Sequence, residues 1–484
     1  MVQISARILA CILGISILSA FASCANESDK QTTTAAGEIK QESTTASDGK
    51  PTIPASANYN NSTFNIIYPV WGLYRDYYFA EEEGADAITN ALYNRLRMIE
   101  EELKVDIKAV PSGGNSDILP AIRTAVQSGD KSVDLALTHC TAGTNAIATE
   151  GLVLDWNSIP GVDTSRPYWN KSMNDTLAVN GALYLAANDF ILPDPNAILF
   201  NKAMLYDLGL ESPYLLVTSG QWTWDKLTEM AKKASEDLDG DGIYTNKDRY
   251  GFEAELDWML VSIMHSCDQY LVTRDENGVP IVDLMTDKMS NIIDKTRTLL
   301  FDDNTSHAFL RTGNDFMTTQ KFSNGQSLFI MDSLNHASAY RSFDFDFGIL
   351  PYPKYDTSQK EYISTNWAGL MAVPNNVDNP EKSGLVAELL GYYGNKDVLP
   401  AYKEILLKSK ITRDDDSIEM LDIIYNNSVY DFGINFGNWM DCEYVIPRLM
   451  QNKSDPLASF LEMNQPPYQT YLEETYYGIL EAAG

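Results

Sequence analysis

Phe64-Asn65-Ile66-Ile67-Tyr68, the run Ala87 to Leu103, and Lys104-Val105-Asp106-Ile107-Lys108-Ala109-Val110 set out an order of extended and helical segments. The first pentapeptide alternates and is β-branched, which reads as a strand. Between Ala87 and Leu103 apolar residues recur at helical spacing, with Ala91, Leu92, Leu96, Ile99 and Leu103 on one face. Lys104 to Val110 reads as a second strand. Ile118 to Ser128 is a helix ended by Gly129, Val133 to Thr138 a third strand, and Thr144 to Thr149 a short helix stopped at Gly151. Strand, helix, strand, helix, strand predicts a parallel α/β sheet. Such sheets bind ligands at the carboxyl ends of their strands, here Tyr68 to Tyr74 and Thr138 to Thr141. Further on, Ala182 to Asp189 reads as extended and Ala197 to Asn201 follows closely as another extended stretch. A helix starts near Lys202, and Thr223 caps one running to Ala234.

The chain has 484 residues, 44% of them hydrophobic. Chains beyond about 250–300 residues split into more than one core, so two lobes are expected. The net charge of −31 is the wrong sign for meeting phosphates and excludes nucleic-acid partners. Cys140, Cys267 and Cys442 lie far apart with no CxxC spacing, which reads as buried small hydrophobes, with one disulfide open.

The amino terminus has its own logic. Arg7 precedes an uncharged run, Ile8 to Ala22. A membrane-spanning helix needs about 20 apolar residues; this run has the length of a signal-peptide core. It ends in Leu18-Ser19-Ala20-Phe21-Ala22-Ser23-Cys24, which resembles the lipobox of bacterial lipoproteins, with Phe21 where that motif prefers Leu. Residues 1–23 are expected to be removed and Cys24 lipidated, an ordinary cleaved signal peptide or an uncleaved anchor being the alternatives. Residues 24–59 are almost all small or polar and read as a disordered tether. About 35 such residues reach roughly 30 Å. The mature chain would sit on the extracellular face of the cell membrane.

The folded body resembles the extracellular solute-binding proteins of ABC importers, in the sugar-binding group that includes maltose-binding protein. The resemblance is carried in order by Arg97 to Val105, Ser132 to Leu137, Thr149-Glu150-Gly151-Leu152-Val153-Leu154-Asp155, Asn180 to Tyr184 with Ala197 to Lys202, Gln221-Trp222-Thr223-Trp224-Asp225-Lys226-Leu227, Gly325 to Phe329, and Phe347 to Lys354. It implies a type II periplasmic-binding-protein fold, two α/β lobes joined by hinge strands and closing on a ligand. The first lobe would be 60–190 plus 368–412 and the second 195–362 plus 413–484. The implied function is capture of a carbohydrate, expected to be an oligosaccharide, and delivery to ABC permease subunits by a monomeric, non-enzymatic protein. A surface sensor or adhesin, or a binder of a peptide, is the alternative reading.

Sugar binding needs aromatic planes for apolar ring faces and polar groups for hydroxyls. Trp71 and Tyr74, with Tyr77 close by, follow the first strand. Trp258 follows Asp257, Trp367 lies where the family's chain returns to the first lobe, and Trp439 opens a late helix. Trp156, Trp169, Trp222 and Trp224 read as packing residues. Polar candidates are Thr138, His139, Asn188, Asp189, Asn335 and Arg341; Asp189 is expected between the lobes, its carboxylate satisfied by a hydroxyl or cation. Asp237-Leu238-Asp239-Gly240-Asp241-Gly242-Ile243 continues to Asp248. Acids at loop positions 1, 3 and 5, Gly242 at 6 and a carbonyl at Ile243 suit calcium. The spacing resembles EF-hand and dockerin loops, with Asp248 at position 12 for the EF-hand glutamate. The expected structural ion is Ca2+ held by Asp237, Asp239, Asp241, Ile243 and Asp248. The sequence holds no HExxH, GxSxG or phosphate-binding glycine motif, and nothing marks a carboxylate pair of a glycoside hydrolase.

Overall fold

The structure is a computed structural model that describes residues 49–484 except 71–77, 246, 311–320, 338–342, 409–414, 439 and 483–484. In chain order the strands are β1 (Ser62–Tyr68), β2 (Val105–Pro111), β3 (Leu135–Thr138), β4 (Asn196–Asn201), β5 (Tyr250–Glu255), β6 (Val272–Arg274), β7 (Pro280–Val282), β8 (Ser306–Phe309), β9 (Ser327–Ser333), β10 (Phe347–Leu350), β11 (Ser364–Thr365), β12 (Leu370–Ala372) and β13 (Ser428–Val429). Two sheets organise two α/β lobes. The first runs β12-β3-β1-β2, with β1 parallel to both β2 and β3 and β12 antiparallel to β3. The second runs β10-β4-β9-β5-β8, with β5 parallel to β9 and β8 and β4 antiparallel to β9 and β10.

Local chemistry fixes the first lobe. Asp86 Oδ1 accepts the Thr89 amide at 2.9 Å and caps the helix Ala87–Leu103, which ends at Lys104 in the left-handed region. Leu92, Leu96, Ile99 and Leu103 are buried along that helix while Ala91 is half-buried. Each large apolar side chain so buried contributes about 1.5–3 kcal/mol. The helix Ile118–Ser128 stops at Gly129, whose φ of 70° suits a residue without Cβ.

The chain crosses between the sheets near residues 186–196 and 364–371. Ala186 bridges Met371 and Pro195 bridges Asn366, both antiparallel, and β13 pairs with β11 beside them. The sequence expectation of an extended stretch from Ala182 to Asp189 is corrected here: only isolated bridges form. Side chains take the backbone groups that a ladder would use. Asp155 Oδ1 accepts the Leu183 amide at 2.9 Å, and Asn174 brackets Ala187 with bonds of 3.0 and 2.8 Å. Ala197 to Asn201 does form strand β4, and the helix Lys202–Asp207 follows it. No helix among the described residues is long and apolar enough to cross a membrane.

Candidate ligand cleft and metal loop

The carboxyl end of β3 runs straight into a buried turn. Thr138 is fully buried, and its Oγ1 has no hydrogen-bond partner among the described residues. His139 Nδ1 accepts the amides of Thr141 and Ala142 at 3.2 and 3.3 Å, which leaves that nitrogen unprotonated. Burial pushes the imidazole down to about 4, so the ring is neutral and orders the turn.

Trp258 opens a short helical turn, Trp258–Leu260, after β5. It meets Trp367, from the crossing segment between β11 and β12, edge to face at 5.3 Å and 87°. Trp367 is buried and its amide donates to the Asp194 carbonyl at 3.0 Å, while Trp258 is half-buried. The structure thus brings together two aromatics 109 positions apart (367 − 258 in the numbering). Asp194 itself accepts the Ser333 hydroxyl at the end of β9, and its amide donates to Asn366 Oδ1 at 2.8 Å.

The other candidates divide. Asp189 already has a protein partner: its Oδ2 accepts Asn395 Nδ2 at 2.7 Å. Asn188 is spent on the Ala387 carbonyl and the Phe190 amide, at 3.0 and 2.9 Å. Asn335 accepts the Tyr402 hydroxyl at 2.8 Å. Trp156, Trp169, Trp222 and Trp224 are buried, and their indole N–H groups reach the Met371 carbonyl, Glu388, the Pro351 carbonyl and the Ser266 hydroxyl. Cys24, Trp71, Tyr74, Tyr77, Arg341 and Trp439 lie outside the described residues. Cys140, Cys267 and Cys442 are buried and form no disulfide with one another. Arg95, fully buried, donates to the carbonyls of Tyr78 and Phe190 at 2.6 and 3.1 Å and lies 4.7 Å over the Phe190 ring. It ties the chain following residues 71–77 to the first crossing.

Asp189 carries a pH signature. Burial pushes its carboxyl up to about 7, against a smaller opposing effect of Asn395. The folded chain therefore holds this proton more tightly than the unfolded chain. That stabilisation is complete below the unfolded value of 3.8 and is lost as pH rises through about 7. Asp189→Asn is expected to flatten the gain in melting temperature on going from about pH 8 to about pH 5. Equal slopes in variant and wild type would refute the assignment.

The acidic loop folds around its own carboxylates. Asp237 accepts the amides of Gly240 and Gly242 at 2.8 and 2.7 Å, with both glycines at positive φ. Buried Asp248 accepts the amides of Leu238 and Thr245 at 2.9 and 2.6 Å, and the Thr245 amide chiefly holds its carboxyl below the usual range. One oxygen each from Asp237, Asp239 and Asp248 come within 4.8 Å of one another. Asp241 is not one of these three, and its Oδ1 accepts the Ile243 amide at 2.7 Å. The Ile243 side chain is exposed.

Sequence reading passed over Asp194, Ser333, Thr144 and Asn435. The last stands in Asn435-Phe436-Gly437-Asn438-Trp439, a segment noticed only for its tryptophan.

Two α/β lobes joined by crossing strands, with polar and aromatic groups where strands end, define a hinged binding protein. The chain belongs to the bacterial extracellular solute-binding proteins, whose family profile matches residues 95–400. Similar folds include an ABC substrate-binding protein from Listeria monocytogenes in complex with cycloalternan (14% identity, 88% of this chain and 99% of that one, TM-score 0.52). A cyclic alpha-maltosyl-1,6-maltose binding protein from Arthrobacter globiformis is 15% identical over 87% of this chain and 99% of that one, with TM-score 0.55. A sugar transporter from Rhizobium etli in an open conformation is 15% identical over 86% and 99%, with TM-score 0.57. No curated protein matches the sequence significantly.

Proposed function

We propose that the chain captures a carbohydrate, in particular an oligosaccharide, between its lobes and delivers it to the permease subunits of an ABC importer. The observation that carries this reading is the Trp258–Trp367 pair, a half-buried indole and a buried one meeting edge to face at the end of β5. Such planes cover the apolar faces of sugar rings. The buried Thr138 hydroxyl at the end of β3, without a partner among the described residues, is the candidate polar group. Binding without turnover is the expected activity. The lobes would be 60–190 plus 368–412 and 195–362 plus 413–484, and Cys24 would anchor a monomer to the extracellular face of the membrane through the 24–59 tether. A fold neighbour in complex with cycloalternan and one named as a cyclic alpha-maltosyl-1,6-maltose binding protein support the ligand class. A thermal-shift screen of the full mature chain against linear and cyclic glucans and against peptides tests it. A glucan is expected to raise the melting temperature; stabilisation by a peptide and by no carbohydrate would overturn the substrate class.

A structural Ca2+ in the acidic loop belongs to the same proposal. Hard carboxylate oxygens from Asp237, Asp239 and Asp248 fit that ion's chemistry, with Asp241 and the Ile243 carbonyl as the remaining loop donors. The ion would neutralise three clustered carboxylates and fix the turn. Chelation is expected to lower the melting temperature and added Ca2+ to restore it, with both responses lost in Asp248→Asn. A melt indifferent to chelator would remove calcium from this account.

A further inference from the structure

Closure of a hinged protein depends on contacts that exist only when the lobes meet. The helix Phe432–Phe436, a few residues past β13, touches elements of both lobes. On one side it packs against β7 and the helix Leu457–Ala482. On the other it meets the helices Thr144–Thr149 and Lys171–Leu177, which follow the first sheet's β3. Asn435 engages that first-lobe segment through its side chain and its backbone. Its Nδ2 donates to the Cys140 carbonyl at 2.9 Å, and its backbone carbonyl accepts the Thr144 hydroxyl. Asn435 and Thr144 are both buried. A second pair lies alongside, where Asn145 Nδ2 donates to the Thr475 hydroxyl.

The Asn435 amide is held in place before it meets the first lobe. Its Oδ1 accepts the Asp431 amide at 3.1 Å, which leaves Nδ2 to face Cys140. Asp431 is fixed in turn by His265 Nε2 at 3.1 Å and by the amides of Leu271 and Gly433, each at 2.8 Å. A donor ordered by its own lobe loses little freedom when it meets an acceptor on the other. Cys140 and Thr144 stand just beyond the carboxyl end of β3, where the lobe presents its polar groups.

The geometry points to Asn435, seconded by Asn145, as a closure latch that sets the ratio of closed to open chain in the absence of ligand. This rests on the hinged-binding reading above. A ligand that binds the closed arrangement has its apparent affinity scaled by the closed fraction, so the latch sets affinity without touching ligand. A net hydrogen bond is modest, and losing one or two shifts such a ratio about tenfold.

The test is small-angle X-ray scattering of the full mature chain, freed of ligand by unfolding and refolding. Asn435→Asp keeps the acceptor for the Asp431 amide and turns an oxygen, in place of the donor, toward the Cys140 carbonyl. Asn145→Ala removes the second pair from a half-buried helix position. Each is expected to lower the closed-to-open ratio about tenfold, seen as a larger radius of gyration, with the double variant larger again. Scattering of Asn145→Ala and of folded Asn435→Asp that superimposes on wild type would overturn the latch. Where Asn435→Asp loses its cooperative melt, Asn145→Ala alone decides. No ligand enters the measurement, so a failed glucan screen and a failed latch are separate results.

Discussion

Replacing Glu388 with Ala is expected to destabilise the folded chain by about 3–5 kcal/mol, the cost of breaking a buried charge network by removing one partner. Glu388 is fully buried in the helix Pro380–Tyr393. Its Oε1 accepts the Asp163 amide at 2.8 Å and Trp169 Nε1 at 2.9 Å. Its Oε2 accepts Arg166 Nη1 at 3.1 Å and the Tyr168 hydroxyl. Every partner is a donor, so the site needs a group that only accepts. Burial pushes the carboxyl up, and the four donors oppose that push. Alanine leaves the donors without an acceptor and opens a cavity between the helix and the 163–169 segment. Glutamine restores the shape but turns an NH2 toward two donors, so Glu388→Gln should recover only part of the loss. Denaturant unfolding followed by tryptophan fluorescence measures both. An alanine variant within about 1 kcal/mol of wild type would show that the network adds nothing net.

This network also shows what a single sequence can and cannot tell. The helices Ala87–Leu103, Ile118–Ser128, Thr144–Thr149 and Trp224–Ala234 were legible with their ends, because periodicity, caps and stop residues act within a turn or two. Thr223 does cap its helix, accepting the Lys226 amide at 3.2 Å. Glu388 meets Tyr168 across 220 positions, and no local pattern announces that meeting. The stretch 182–189 misled for a related reason. Its composition suits a strand, but Asp155 and Asn174 from elsewhere take its backbone groups. In the acidic loop the spacing named the carboxylates, and the fold decides that Asp237, Asp239 and Asp248 are the three that converge. Residue type suggested Trp258 and Trp367 separately, and tertiary packing made them a pair.

That pair yields the largest functional effect. Trp258→Ala is expected to weaken binding of the glucan selected by the thermal-shift screen roughly 10- to 100-fold, the loss typical of a buried aromatic anchor. The fold should tolerate it better than loss of Trp367, because Trp258 is half-buried and its neighbour Trp367 is in the core. Trp367 poses the opposite problem. It is buried, so Trp367→Ala would cost about 3–5 kcal/mol of stability and confound any change in affinity. Trp367→Phe is the better probe. It keeps an aromatic partner for Trp258 while changing the edge that meets the Trp258 ring at 87°. If the two rings act as a unit, Trp367→Phe should lower affinity with little change in melting temperature. Combined with Trp258→Ala it should then add less than the sum of the two single losses. Isothermal titration of the three variants, each checked for a cooperative melt, gives the coupling directly. Unchanged affinity in Trp258→Ala would mean that the sugar rings lie elsewhere in the cleft. Strict additivity would mean that Trp367 contributes to stability and does not orient the indole beside it.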